Sequence, residues 1–228
     1  MPPPPSDPAS DDEALIFEAR RLHERYTVEV IERFDLCPFA RRARQVGAVE
    51  RFVLLQSSEE PEPTLEVIRA LEARPDPPPV AIVIYPRLGL PYRRFDDFAA
   101  RIKERDQARH GGKPVFVSAT FHPDYPLDPR SPASLVPFFR RSPDPSLQLV
   151  SLKVLEDARG AHHGKFLFDG TAEGWQEVLR RIKTRSVTDR IGDDNRATFE
   201  REGAAAFESL FADLRADRAR TYARFGLA

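Results

Sequence analysis

Cysteine is nearly absent from this chain: one residue, Cys37, in 228. A single thiol cannot form an intramolecular disulfide, so a stapled secreted fold is excluded and a reducing, cytoplasmic setting is expected. Charge of one sign is missing too. With 35 basic against 36 acidic residues the net charge is −1, so no global field draws the chain to nucleic acid or to an anionic membrane. The first ten residues hold five prolines and no apolar run, which matches neither a signal peptide nor a membrane span. They are expected to form a disordered tail, with a single domain from 11 to 228. Glycine-based nucleotide fingerprints are lacking as well. There is no Gly-x-Gly-x-x-Gly, no Gly-Lys-Ser/Thr loop and no Gly-x-Ser-x-Gly elbow, so dinucleotide-binding folds and α/β-hydrolases lose weight.

What is present is an alternation of apolar patterns. Ser10 with Glu13 has the spacing of a reciprocal helix cap, and Leu15, Leu22, Tyr26, Val30 and Phe34 follow at helical spacing, predicting a first helix to about Phe34. Pro38 predicts a kink over 35–38 and a short helix beyond it. Strands are expected at 49–56, at the unbroken apolar run 80–85, at 115–120 and at 147–155, with a further short strand at 165–168. Helices are expected at 62–74, 92–108, 172–183 and 196–224. Residues 123–145 read as a long proline-rich loop. The fold class is therefore α/β or α+β: a mixed sheet of about four to five strands covered by helices, with a helical C-terminal region. Thioredoxin-like and ferredoxin-like sheets both accommodate this order.

Two segments carry chemically pointed residues. Cys37 stands before a short helix and near Arg41, Arg42 and Arg44, where peptide N–H groups and cationic charge favour thiolate. The competing reading is a small buried hydrophobe, and a Cys-Pro haem ligand is a third. His122 ends a predicted strand before Pro123, with Asp124 and Tyr125 alongside. Strand ends of α/β sheets open onto ligand crevices, so His122 is a candidate general base, donor to an anion or metal ligand, or equally a loop-capping residue. Arg140, Arg141 and Ser142 offer donors suited to carboxylate or phosphate, the competing reading being ordinary surface arginines in solvent. The pair His162-His163 lacks any metal-ligand spacing and reads as a solvated turn, so no metal-ligand residues are assigned, and the sequence leaves metal use and cofactor unknown.

Leu36-Cys37-Pro38-Phe39-Ala40, Phe121-His122-Pro123-Asp124-Tyr125, and Arg141-Ser142-Pro143 followed by Pro145 and Leu147 together resemble the bacterial family called domain of unknown function 1415. The similarity spans about residues 29–149, with a weaker echo at 191–198, where Asn195 looks like a family asparagine. The chain departs from the family pattern at Arg140, where the family has Asn, and at Gln148, Ser151 and Leu152, where it has His, Arg and Glu. The resemblance implies no activity.

The leading expectation is an enzyme acting on a small anionic metabolite. Arg141, Ser142 and Asn195 would bind substrate, His122 and Tyr125 would serve catalysis, and Cys37 would join as nucleophile or redox group. The alternative is a non-catalytic ligand-binding or thiol-sensing domain. A nucleic-acid partner is disfavoured because the arginine clusters are brief, and the oligomeric state is not readable.

Overall fold

The computed structural model describes residues 8–112, 115–152 and 187–227. Helix α1 spans Pro8–Tyr26, beginning slightly before the expected cap, within the usual uncertainty of helix ends. Its stripe of Leu15, Ala19, Leu22 and Tyr26 is buried. The helix does not continue in α register to Phe34. Thr27–Glu32 form a π-helical turn, with Arg33 N–H donating to Val28 O at 3.1 Å and Leu36 N–H to Ile31 O at 2.9 Å. The Thr27 hydroxyl donates to His23 O at 2.9 Å, and such back-bonding competes with the helical ladder. Asp35, at φ +53°, then reverses the chain into short helix α2, Ala40–Gln45, so the expected kink is present.

Strand β1 (Val49–Val53), helix α3 (Glu62–Glu72) and strand β2 (Val80–Ile84) form a parallel β-α-β unit. Helix α4 (Tyr92–Arg109) leads to edge strand β3, Phe116–Phe121. Strand β4, Ser146–Ser151, inserts between β2 and β3, antiparallel to both, giving the order β1-β2-β4-β3. The sheet is mixed and four-stranded, and the fold is α+β with a helical C-terminal region. The connection order is not the β-α-β-β-α-β of a ferredoxin-like sheet.

Alternation on β2 divides the core. Ala81 and Val83 face α3 and α4, packing with Leu65, Phe95 and Phe98. Ile82 and Ile84 face α1, against Leu15, Ala19 and Leu22. Both faces are thus covered, as an unbroken apolar strand requires.

The segment 123–145 differs from its reading as an open loop, because Pro132–Phe139 form helix α5. Ser131 and Ser134 cap it reciprocally and Pro132 occupies its first turn, where a missing N–H costs nothing. Pro137 within this short helix disguised it. The expected elements at 165–168 and 172–183, and His162-His163, lie outside the described residues. Helix α6, Val187–Glu202, and helix α7, Ala204–Tyr222, are separated at Gly203, whose φ of +79° suits glycine.

Helix α7 closes the second core. Phe207, Phe211 and Leu214 pack with Tyr26, Phe34, Phe138 and Phe139, each such burial contributing about 1.5–3 kcal/mol. Polar contacts fix its angle. Asp144 accepts from Arg218 Nε at 2.7 Å and from the Tyr222 hydroxyl at 2.7 Å, while Asp217 accepts from Arg21 Nη1 at 3.0 Å and Arg25 Nη1 at 2.9 Å on α1. No helix among the described residues is long and apolar enough to cross a membrane.

The two arginines hold Asp217 at about 2, below its ordinary 3.8. A carboxylate depressed in the folded state adds stability above its unfolded pKa and loses it as pH falls through the folded one. Asp217→Asn is expected to lower unfolding free energy near neutral pH by about 1–2 kcal/mol, after allowance for solvent screening. Urea titrations of the variant should also show a flatter loss of stability between about pH 4 and pH 2.

Candidate functional site

The loop after β3 holds its own chemistry tightly. His122 is 1% exposed. Its Nε2 donates to Leu90 O at 2.8 Å, and its Nδ1 accepts from the Asp124 N–H at 3.1 Å, so the two partners together select the Nε2–H tautomer. Burial lowers its pKa. Tyr125 donates its hydroxyl to Asp96, and its oxygen lies 2.6 Å from Thr120 Oγ1; burial, and then Asp96, push its pKa up. Tyr125 lines a cavity of about 330 Å³ with Asp96, Lys103, Thr120 and Arg140.

Arg141 and Ser142 are engaged within the protein. Arg141 Nη1 donates to Glu208 Oε1 at 2.7 Å and Nε donates to Tyr125 O, with the guanidinium 4.5 Å from the Phe138 ring centre. Ser142, 1% exposed, donates its hydroxyl to Asp144 O. These contacts tie the segment before β4 to α7.

Cys37 and Asn195 meet elsewhere, in a second cavity of about 250 Å³ that His122 does not line. Its floor is the α1-facing side of the sheet: Val49 and Arg51 of β1, Val80 and Ile82 of β2, and Gln148 of β4. Gln148 stands opposite Ile82 on one side and Ala119 on the other. The walls come from Tyr26 and Thr27 at the π turn, Cys37 and Ala40 near α2, Phe139 and Arg140 at the end of α5, and Asn195 of α6. A π turn beside a cavity is a recurrent feature of binding sites.

His23 and Arg51 also belong to this cavity and were passed over in the sequence reading. A signal existed for each. Arg51 alternates with Val49 and Val53 on one face of β1, and His23 directly follows Leu22 of the apolar stripe. A charge or imidazole on a buried face requires a partner.

Arg51 Nη2 pairs with Glu24 Oε2 at 2.6 Å, and its Nε donates to His23 Nδ1 at 3.2 Å. Burial, reinforced by the Arg51 charge, drives the His23 pKa down to about 3. His23 is therefore neutral, with its proton on Nε2. Burial pushes the Cys37 thiol up, against the opposing pull of the Phe39 and Ala40 N–H groups and the Arg140 charge. The Tyr26 hydroxyl donates to Phe139 O at 2.6 Å.

Arg140 differs from its neighbours. Among the described residues no carboxylate oxygen lies within 4.0 Å of its guanidinium and no side-chain hydrogen bond holds it. It stands 5.6 Å from the Phe121 ring centre, lines both cavities, and has its pKa lowered by burial. A half-buried cation left without a counter-charge is costly, and a forked guanidinium facing a cavity can recover that cost by binding an anion.

Among the described residues the potential metal-ligand group is Glu72, Asp106 and His110, away from both cavities. Arg109 Nη2 reaches Asp106 Oδ1 at 2.7 Å and Glu72 Oε2 at 3.1 Å, which makes this an internal ion-pair network.

Residues 19–166 match the model of a family described as "Protein of unknown function (DUF1415)". No curated protein and no solved structure matches the chain.

Two measurements follow from these environments. Iodoacetamide labelling of Cys37, the sole thiol, is expected to be slower at neutral pH than for a free cysteine and to rise only above the ordinary thiol range, because the neutral form is favoured. Arg140→Gln should slow it by a further factor of about three, since a cation favouring thiolate is lost. Labelling at the free-thiol rate in the folded protein contradicts this environment. His23, neutral when folded but protonated near its ordinary 6.5 when unfolded, should make stability decline as pH falls from about 6.5 toward about 3. His23→Phe should flatten that slope in thermal unfolding.

Proposed function

The chain belongs to the DUF1415 family, a membership that carries no activity with it, and we propose an activity from the cavity itself: an enzyme acting on a small anionic metabolite. Arg140 provides the counter-charge, Gln148 and Asn195 the directional polar contacts, and Cys37 the group that reacts with the bound molecule. The observation that carries this reading is the guanidinium of Arg140, unpaired among the described residues, in a cavity that also holds the chain's only thiol. Arg141 and Ser142 act as positioning residues, since their bonds to Glu208 and Asp144 set the path of the backbone next to Arg140. His122 and Tyr125 contribute from the loop side, His122 through its bond to Leu90 and Tyr125 through the cavity it shares with Arg140.

A second reading, a non-catalytic ligand-binding or thiol-sensing domain, is favoured by one specific feature. The cavity's imidazole has its Nδ1 committed to Arg51, so no free base stands ready to take the thiol proton, and burial keeps that thiol protonated. Turnover separates the two readings.

In a metabolite screen read by thermal shift and product detection, anionic compounds are expected to stabilise the wild-type protein. Arg140→Gln should lose that stabilisation. Cys37→Ala should keep it while losing turnover by about 10²-fold or more, the order expected for removing a reacting group. Turnover that survives in Cys37→Ala leaves the thiol without a catalytic role. Binding without turnover in the wild type selects the second reading.

A further inference from the structure

The charges lining the Cys37 cavity restrict what the ligand can be, beyond its being an anion. Three basic side chains reach the cavity: His23, Arg51 and Arg140. Arg51 is already paired with Glu24 at 2.6 Å, a carboxylate that Arg44 shares at 3.5 Å. His23 accepts a hydrogen bond from Arg51 at Nδ1, so it stands in the cavity as a neutral N–H donor. Arg140 alone among them, within the described residues, lacks a carboxylate partner. Among the described residues the cavity thus offers one guanidinium with no carboxylate in contact, the Asp96 charge acting on it only from beyond ion-pair distance. A phosphate monoester, with close to two negative charges at neutral pH, would bring excess negative charge into a site that disfavours it. A carboxylate brings one, in the planar geometry that a guanidinium fork matches bidentately.

The remaining polar groups act as neutral hydrogen-bonding partners. Asn195 is 5% exposed and His23 6%, and neither the Asn195 amide nor His23 Nε2 has a hydrogen-bond partner among the described residues. Both residues line the cavity. Buried polar groups in this state await a partner. Most of the rest of the lining is apolar, with Ile31, Ile82, Phe121, Val136 and Phe139 around the polar groups. Such a surface accommodates a hydrocarbon or aromatic body and disfavours a sugar.

We infer that the ligand of this cavity is a small monocarboxylate with an apolar body, its carboxylate on Arg140, its polar substituents within reach of Asn195 and His23 Nε2, and its apolar part against Phe121 and Phe139. This rests on the anion-site reading above and narrows it to a substrate class. It also accounts for Gln148, a neutral amide on the floor: it can hydrogen-bond a substituent without adding a second charge.

The test uses the full-length protein and calorimetric titration with benzoate, hexanoate, benzamide, phenyl phosphate and inorganic phosphate. Benzoate or hexanoate is expected to bind, with benzamide, which has nearly the same shape and no charge, at least tenfold weaker. Phenyl phosphate and inorganic phosphate should be weaker than benzoate. Arg140→Gln should reduce benzoate affinity at least tenfold and bring it level with benzamide. The benzoate-to-benzamide ratio on the wild-type protein keeps the inference open to refutation should that variant fail to fold. Asn195→Ala should reduce the discrimination among ring-substituted benzoates without removing the preference for charge. Tighter binding of either phosphate than of benzoate overturns the monocarboxylate class and leaves the anion site standing. Equal binding of benzoate and benzamide, or binding of none of the five, overturns the class and the anion site together.

Discussion

Strand β4 hydrogen-bonds to β2 along one edge and to β3 along the other, and the cavity takes its shape from that insertion. A strand in the middle of a sheet cannot slip by one residue without turning its whole buried face outward. The register that pairs Leu147 with Val83 and Thr120 therefore also holds Gln148 against Ile82 and Ala119 on the α1 side. The same insertion obliges the chain to leave β3 at the sheet edge and return through α5, and the end of that helix delivers Arg140 over Phe121 to the cavity. The buried Asp144, gripped by Arg218 and Tyr222 of α7, stands two residues before β4 and anchors the return.

Electrostatics within the cavity follow from what each cation meets. Arg51 has Glu24 in contact and His23 Nδ1 as an acceptor, so both partners are in place before any ligand arrives. Arg141, next in sequence to Arg140, turns toward α7 and finds Glu208 and the ring of Phe138. Arg140 meets Phe121 and protein that disfavours its charge. Helix α5 ends at Arg140 and the chain turns there, so the two side chains diverge: Arg141 is clamped to α7 and Arg140 lines the cavities. For the thiol, two backbone N–H groups and one guanidinium pull toward ionisation while burial pulls the other way and prevails.

Much of the architecture was legible in the sequence because its signals are local. The apolar run 80–84 bounded by prolines, the helical stripes of α1, α3 and α4, and the Pro38 kink each follow from periodicity or from a fixed φ. The π turn and α5 were not legible. One depends on a single extra residue accommodated in a helix, and the other on a serine cap masked by two prolines. Cys37 was named from its local chemistry and Asn195 from the family resemblance, and they share a cavity. His23 and Arg51 were missed, although each is a polar residue on a face otherwise apolar.

By itself the sequence determined the sheet strands and the longer helices through α4, the lone thiol, the balance of charge and the family resemblance, since composition and short-range spacing suffice for these. Only the tertiary structure decided which polar groups are already partnered. His122, Arg141 and Ser142 appeared to be available donors in a chemically pointed stretch, and each proved to be bonded to Leu90, Glu208 or Asp144. Whether a side chain is free depends on what long-range folding sets beside it. Arg140 is distinguished from Arg141 by that alone.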